Sequence, residues 1–149
     1  MFDQHNFNTM RQATLFFLFL TATALYSCQP NQEELNRIKR AEVISIHDEV
    51  MPKIGQLKKL EKEAGRKVEM LEMSATVDTL QIQKLEELAF DLNLAYDAMF
   101  VWMRQYKSED KEKTPEEISV YLDDQALKIA EVNVQIQEIL SKSVEILKD

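Results

Sequence analysis

Between residues 85 and 106 the chain repeats one pattern: Leu85, Leu88, Leu92, Ala95, Met99, Trp102 and Tyr106 follow one another at alternating steps of four and three. At 3.6 residues per helical turn this spacing puts all seven on one face, and a face so apolar has to be buried against another element. Two further stretches carry the same signal. Val43, His47, Val50, Ile54, Leu57, Leu60, Ala64, Val68 and Leu71 form one, and Ile118, Leu122, Gln125, Ile129, Val132, Ile136, Ile139, Ser143 and Ile146 form the other. Three such helices joined by short polar turns can bury their stripes only against each other. The expectation is an all-α protein, an antiparallel three-helix bundle with coiled-coil-like packing over residues 35–149.

The punctuation agrees. The whole chain has only two glycines and three prolines, too few breakers for a protein of strands and tight turns. Asn31 with Glu34 three residues later reads as an N-cap for a first helix of about 40 residues ending near Leu71. Pro52 lies inside it, where a missing donor and a clash with the Asp48 carbonyl predict a bend, and Gly55 loosens the same turn. Residues 73–78 form the first turn, with Ser74 and Thr76 as the capping candidates. The second helix should end near Lys107, before the wholly polar residues 108–113. Thr114, Pro115 and Glu117 then supply a cap, a proline at the first helical position and a capping-box glutamate. Because the first helix is the longest, part of its N-terminal half is expected to project as a stalk.

Ahead of these helices lies an address. Residues 13–24 are only Ala, Thr, Leu and Phe, preceded by Arg11, the layout of a secretory signal peptide and too short to span a bilayer, which takes about 20 apolar residues. Leu25, Tyr26, Ser27 and Cys28 follow, and Cys28 is the only cysteine. This string resembles a bacterial lipobox. The resemblance implies removal of residues 1–27, lipid on Cys28 and a short linker over residues 28–34. Gln29 after the cysteine, where aspartate would be a retention signal, implies the outer membrane, facing either the periplasm or the cell surface. Met10 beside Arg11 makes a tidier start than Met1, whose segment carries Asp3 and His5. The competing reading is a signal peptide cut elsewhere that leaves Cys28 as a free thiol, a liability in an oxidising compartment. Two or more acyl chains, at about 0.8 kcal/mol per buried methylene, hold a protein stably on a membrane.

Charge narrows the partners. The net charge is -8, and residues 1–27 contribute one aspartate and one arginine, so their removal leaves it unchanged. A chain this acidic is a poor fit to nucleic acid or to an anionic lipid surface. Residues 31–73 hold nine basic and nine acidic groups, whereas residues 115–149 hold three basic and eight acidic ones, so the first and third helices can pair along a shared edge; the plainer reading is solvated faces whose pairs contribute well under about 1 kcal/mol each.

Two strings far apart in sequence carry a family resemblance. Residues 46–53 (Ile, His, Asp, Glu, Val, Met, Pro, Lys) and 102–106 (Trp, Met, Arg, Gln, Tyr) resemble a group of small helical lipoproteins of Bacteroidetes-type bacteria often labelled "viral A-type inclusion protein". That label reflects generic coiled-coil similarity. The resemblance implies a helical lipoprotein of unassigned role and supplies no catalytic residue.

Folding the first helix back on the second about residues 74 and 75 sets His47 level with Trp102, and Met51 level with Met99 and one turn from Met103. Imidazole and thioether ligands suit Cu(I), and an indole face can shield the ion, so His47, Met51, Met99 and Met103 are the candidate metal ligands. The plainer reading is packing: methionine fills core gaps, Trp102 plugs the bundle and His47 bonds a carboxylate or a carbonyl freed by Pro52. Asp48 and Glu49 follow His47 directly, but neighbours on a helix point to different sides, so the three should not converge on a substrate. No glycine-framed nucleophile, phosphate-cradling loop or second histidine after residue 28 suggests an enzyme. Trp102 and Tyr106 should face inward and leave Arg104 exposed. The function expected is therefore a non-enzymatic, membrane-anchored structural or interaction module of the cell envelope, its partner another envelope protein or a second copy. The alternative is a periplasmic copper-binding protein.

Overall fold

A computed structural model describes residues 31–148. The signal peptide, the alternative start at Met10 and the lipidation site Cys28 lie outside the described residues. Three helices follow in order: α1 (Gln32–Glu72), α2 (Thr79–Gln105) and α3 (Pro115–Ile146). Among the described residues there is no strand, and no helix is long and apolar enough to cross a membrane.

Contacts between distant residues fix the topology. Lys58 Nζ donates to Asn93 Oδ1 at 2.9 Å, so α2 runs back along α1. Lys142 Nζ reaches Asp91 Oδ2 at 2.7 Å, so α3 runs back along α2. Asn36 Nδ2 donates to the Pro115 carbonyl at 2.7 Å near one end, and Lys67 Nζ donates to the Leu147 carbonyl at 2.9 Å near the other, so α1 and α3 lie parallel over nearly their whole length. The protein is a three-helix bundle.

The stripes read from the sequence form its core. Val43, Val50 and Leu57 from α1, Leu85, Leu88, Leu92 and Met99 from α2, and Leu122, Ile129 and Ile136 from α3 are all at 0 % exposure. Each such side chain taken out of water contributes about 1.5–3 kcal/mol, and this burial holds the helices together. At the flanks the stripe softens to half-buried His47, Leu60, Val68, Tyr106, Ile118 and Ile146.

The start of α3 follows its sequence signal and the start of α2 does not. At α3, Thr114 accepts from the Glu117 amide at 3.3 Å while the Glu117 carboxylate accepts from the Thr114 amide at 2.8 Å, the full capping box. At α2 the cap is Asp78, whose carboxylate accepts from the Gln81 amide at 3.0 Å. Ser74 and Thr76 do not cap it: the Ser74 hydroxyl donates instead to the Thr76 carbonyl within the turn. Asp78 stands immediately before the first helical residue, where a short carboxylate reaches the exposed amides, so it prevails over hydroxyls further back. α1 runs unbroken through Pro52, which is exposed, so the carbonyl it frees can be met by solvent.

The stalk expected of α1 is not there from Asn36 onward. Asn36 is buried against the start of α3, Lys39 Nζ lies 2.6 Å from Asp123 Oδ1 and donates to Ser119 Oγ at 2.8 Å, and Val43 is fully buried. The reason is the parallel run of α1 and α3: the connection after α2 climbs back to the height at which α1 begins.

Candidate functional site

The two strings that carry the family resemblance meet. His47 and Trp102 have ring centroids 5.7 Å apart at 32°, the level that the hairpin register requires. From there the rings continue as a row, with Trp102 to Tyr106 at 5.0 Å and 27° and Tyr106 to Tyr121 at 6.3 Å and 28°. One residue from α1, one from α2, one just past α2's end and one from α3 thus cross the width of the bundle. Aromatic pairs at these separations add about 0.5–1.5 kcal/mol each beyond burial. Lys113 Nζ closes the row, 4.3 Å above the Tyr121 ring.

Around the row a set of polar contacts pins residues 106–114, the connection between α2 and α3. Arg40 Nη2 donates to both carboxylate oxygens of Asp110, at 2.5 and 2.6 Å, and Nη1 donates to the Tyr106 hydroxyl at 3.2 Å. Partial burial pulls the Arg40 guanidinium down, but its bonds to Asp110 and Tyr106 outweigh this and raise its pKa overall. The Tyr121 hydroxyl accepts from the Lys107 amide at 2.6 Å. Within this connection Glu112 takes a left-handed backbone conformation, with φ of 67°. Asn36, Arg40, Asp110, Lys113 and Pro115 line a cleft of about 410 Å³ here.

The candidate metal ligands fall in different environments. Met99 is fully buried, Met51 is half-buried and packs on the core cluster that contains Met99 and Trp102, and Met103, one turn from Met99, is 38 % exposed at the edge of the α2 stripe. The His47 imidazole is half-buried with Nδ1 2.9 Å from Asp48 Oδ1. Neighbouring side chains therefore do touch at this point, against the expectation that His47 and Asp48 point apart. Glu49 turns away to Lys53, at 3.2 Å. Among the described residues no group of three or more His, Cys, Asp and Glu side chains is placed to hold a metal ion.

Two buried polar atoms have no partner among the described residues, Trp102 Nε1 and Gln125 Oε1. The α2–α3 register that pairs Tyr106 with Tyr121 also sets Trp102 level with Gln125, so a donor and an acceptor lie unmatched in one layer.

The sequence pattern pointed to His47, Trp102 and Tyr106 but not to Asn36, Arg40, Asp110, Lys113 or Tyr121. Asn36 stands one heptad before Val43, which was a signal for it. Tyr121 flanks the stripe residue Leu122, and nothing local marks it out. Compared with known proteins, the chain matches no protein-family model, no curated protein sequence and no solved structure.

Proposed function

We propose that this protein is a non-enzymatic lipoprotein of the bacterial cell envelope, held in the outer membrane by lipid on Cys28, whose bundle serves as a structural or protein-interaction module. The observation that carries the reading is the string Leu25, Tyr26, Ser27, Cys28 directly after a 12-residue apolar run at 13–24. Its resemblance to a lipobox, and that of residues 46–53 and 102–106 to small helical lipoproteins, point the same way. The site supports a structural part for its polar groups: Arg40 donates to both Asp110 and Tyr106, and the Tyr121 hydroxyl accepts from the Lys107 amide, all closing the end of the bundle. The test is fractionation of cells producing the full chain. The protein should sediment with membranes and resist extraction by salt and alkali, and Cys28→Ala should shift it out of the outer membrane. A Cys28→Ala chain that fractionates like the parent removes the reading.

A second reading, copper binding, draws on the His47 and Asp48 contact. A carboxylate holding Nδ1–H leaves Nε2 as the free lone pair, the arrangement that supports metal-bound imidazoles. Met51 and Met99 would supply thioethers to Cu(I) and Trp102 would cover the ion, with Met103 contributing only if its exposed side chain turns inward. Titration with Cu(I) should quench Trp102 fluorescence at one equivalent, and His47→Ala should abolish the quenching. No quenching in the parent protein ends this reading.

A further inference from the structure

The face of α2 opposite its buried stripe is not wholly polar, as the outside of a bundle helix ordinarily is, but sets large apolar residues among its charges. Phe90 is 68 % exposed, Leu94 58 % and Val101 41 %. They stand four and seven residues apart, so they form a strip along one side of α2. Leu94 and Val101 also line a groove of about 350 Å³ between α2 and α3, opposite Lys128 and Glu131. Isolated surface hydrophobes need no explanation, but an aligned strip on a rigid helix marks a contact surface.

The order of residues on this strip names the occupant. It runs Glu87, Phe90, Leu94, Asp97, Val101, Arg104, with steps of three, four, three, four, three that read the same in both directions. Laid antiparallel on a second copy of itself, Phe90 meets Val101 of the other copy, and Glu87 meets Arg104. Each pairing occurs twice about a two-fold axis, which is the self-complementarity that an isologous dimer requires. The seam from Glu87 to Arg104 is about 26 Å long at 1.5 Å per residue. The remaining layer sets Leu94 against Asp97, a polar residue in a coiled-coil layer that fixes register at a cost in affinity. A second exposed apolar set, Val120, Leu127 and Val134 on α3, has Asp124, Glu131 and Glu138 beside it, and the neighbouring cation on α3, Lys128, already pairs with Asp124 in the same helix, so two copies meeting there would gain no ion pair.

We infer that the protein forms a two-fold symmetric homodimer through the exposed Phe90, Leu94, Val101 strip of α2, with Glu87 of each copy paired to Arg104 of the other. This inference rests on the interaction-module reading and supplies its partner, a second copy of the chain.

The test is the mass of the full-length protein in mild detergent, by sedimentation over a concentration series. The parent should be dimeric. Glu87→Arg and Arg104→Glu should each weaken the dimer by roughly tenfold or more, since each sets like charges together, and the double exchange should restore it to within about threefold. Both substitutions lie on the surface, and the restored double variant shows that the fold is intact. Asp97→Leu should tighten the dimer roughly tenfold by completing the apolar seam. A monomer at every concentration, single exchanges without effect, or a double exchange no better than the singles overturns the proposal. Lipid labelling of Cys28 is read separately, so failure of the dimer and failure of the anchor are distinguishable.

Discussion

The His47 imidazole lies 5.7 Å from the Trp102 indole across the seam between α1 and α2, and the indole is 5 % exposed. Trp102 stacks on Tyr106 as well, so it is the ring on which the row through the bundle depends. Trp102→Ala should destabilise the protein by about 3–5 kcal/mol in urea unfolding followed by far-UV circular dichroism. Trp102→Phe should cost less, because it keeps an aromatic ring and removes a buried N–H with no partner. An alanine variant within about 1 kcal/mol of the parent would show that the row is not part of the core.

Arg40 and Asp110 tie the first helix to the connection after the second. Their side chains are 24 % and 35 % exposed, so solvent screens the pair in part. Arg40→Ala and Asp110→Ala should each cost about 1–2 kcal/mol, and the double variant should fall short of the sum by about 1 kcal/mol. Strict additivity would mean that the two groups do not interact.

Much of this fold is written in local pattern. The heptad residues of α2 are buried from Leu85 to Trp102, and the α3 stripe is buried from Leu122 to Ser143, because repeated spacing on a helix leaves only one face to pack. Thr114, Pro115 and Glu117 marked the α3 boundary because a capping box is satisfied within four residues. Hairpin register alone set His47 beside Trp102. What escaped the sequence depends on the third helix. An antiparallel bundle already sets α1 and α3 parallel, but that α3 starts level with the first turns of α1, so that Asn36 is buried and the expected stalk is absent, depends on the path of the connection after α2, which the helical pattern does not give. The same holds for Tyr121 in the aromatic row and for Arg40 reaching Asp110. At α2, two hydroxyls in the turn competed with Asp78 for the cap, and proximity to the helix decided it.

Gln125 is 4 % exposed in the α3 stripe, where its Nε2 donates to Asp124 and its Oε1 has no partner. Leucine there would extend the aliphatic stripe between Leu122 and Ile129 and remove the unmatched acceptor. Gln125→Leu should therefore raise stability by about 1 kcal/mol in thermal or urea unfolding. A loss of more than about 1 kcal/mol would mean that the amide oxygen makes a stabilising contact after all.

Two surface carboxylates titrate low. The Arg37 hydrogen bond lowers Glu34 below its ordinary value of 4.5, and the Lys128 hydrogen bond lowers Asp124 below 3.8. A carboxylate held below its unfolded value contributes stability that is fully present above that value and is lost as pH falls through the folded one. Their contribution should therefore be intact at neutral pH and disappear as pH drops below about 4.5 and then 3.8. Urea midpoints measured from pH 7 to pH 3 should fall less steeply in a Glu34→Gln, Asp124→Asn variant than in the parent, and equal slopes would contradict the assignment.

Whether the bundle is cargo on a lipid anchor is decided by the N-terminal peptide. Cells producing the full chain, grown with an alkyne fatty acid, should yield a labelled protein whose first residue is Cys28 and whose mass carries acyl chains, and Cys28→Ala should take up no label. A parent protein without label, or equal labelling of parent and variant, would contradict the account.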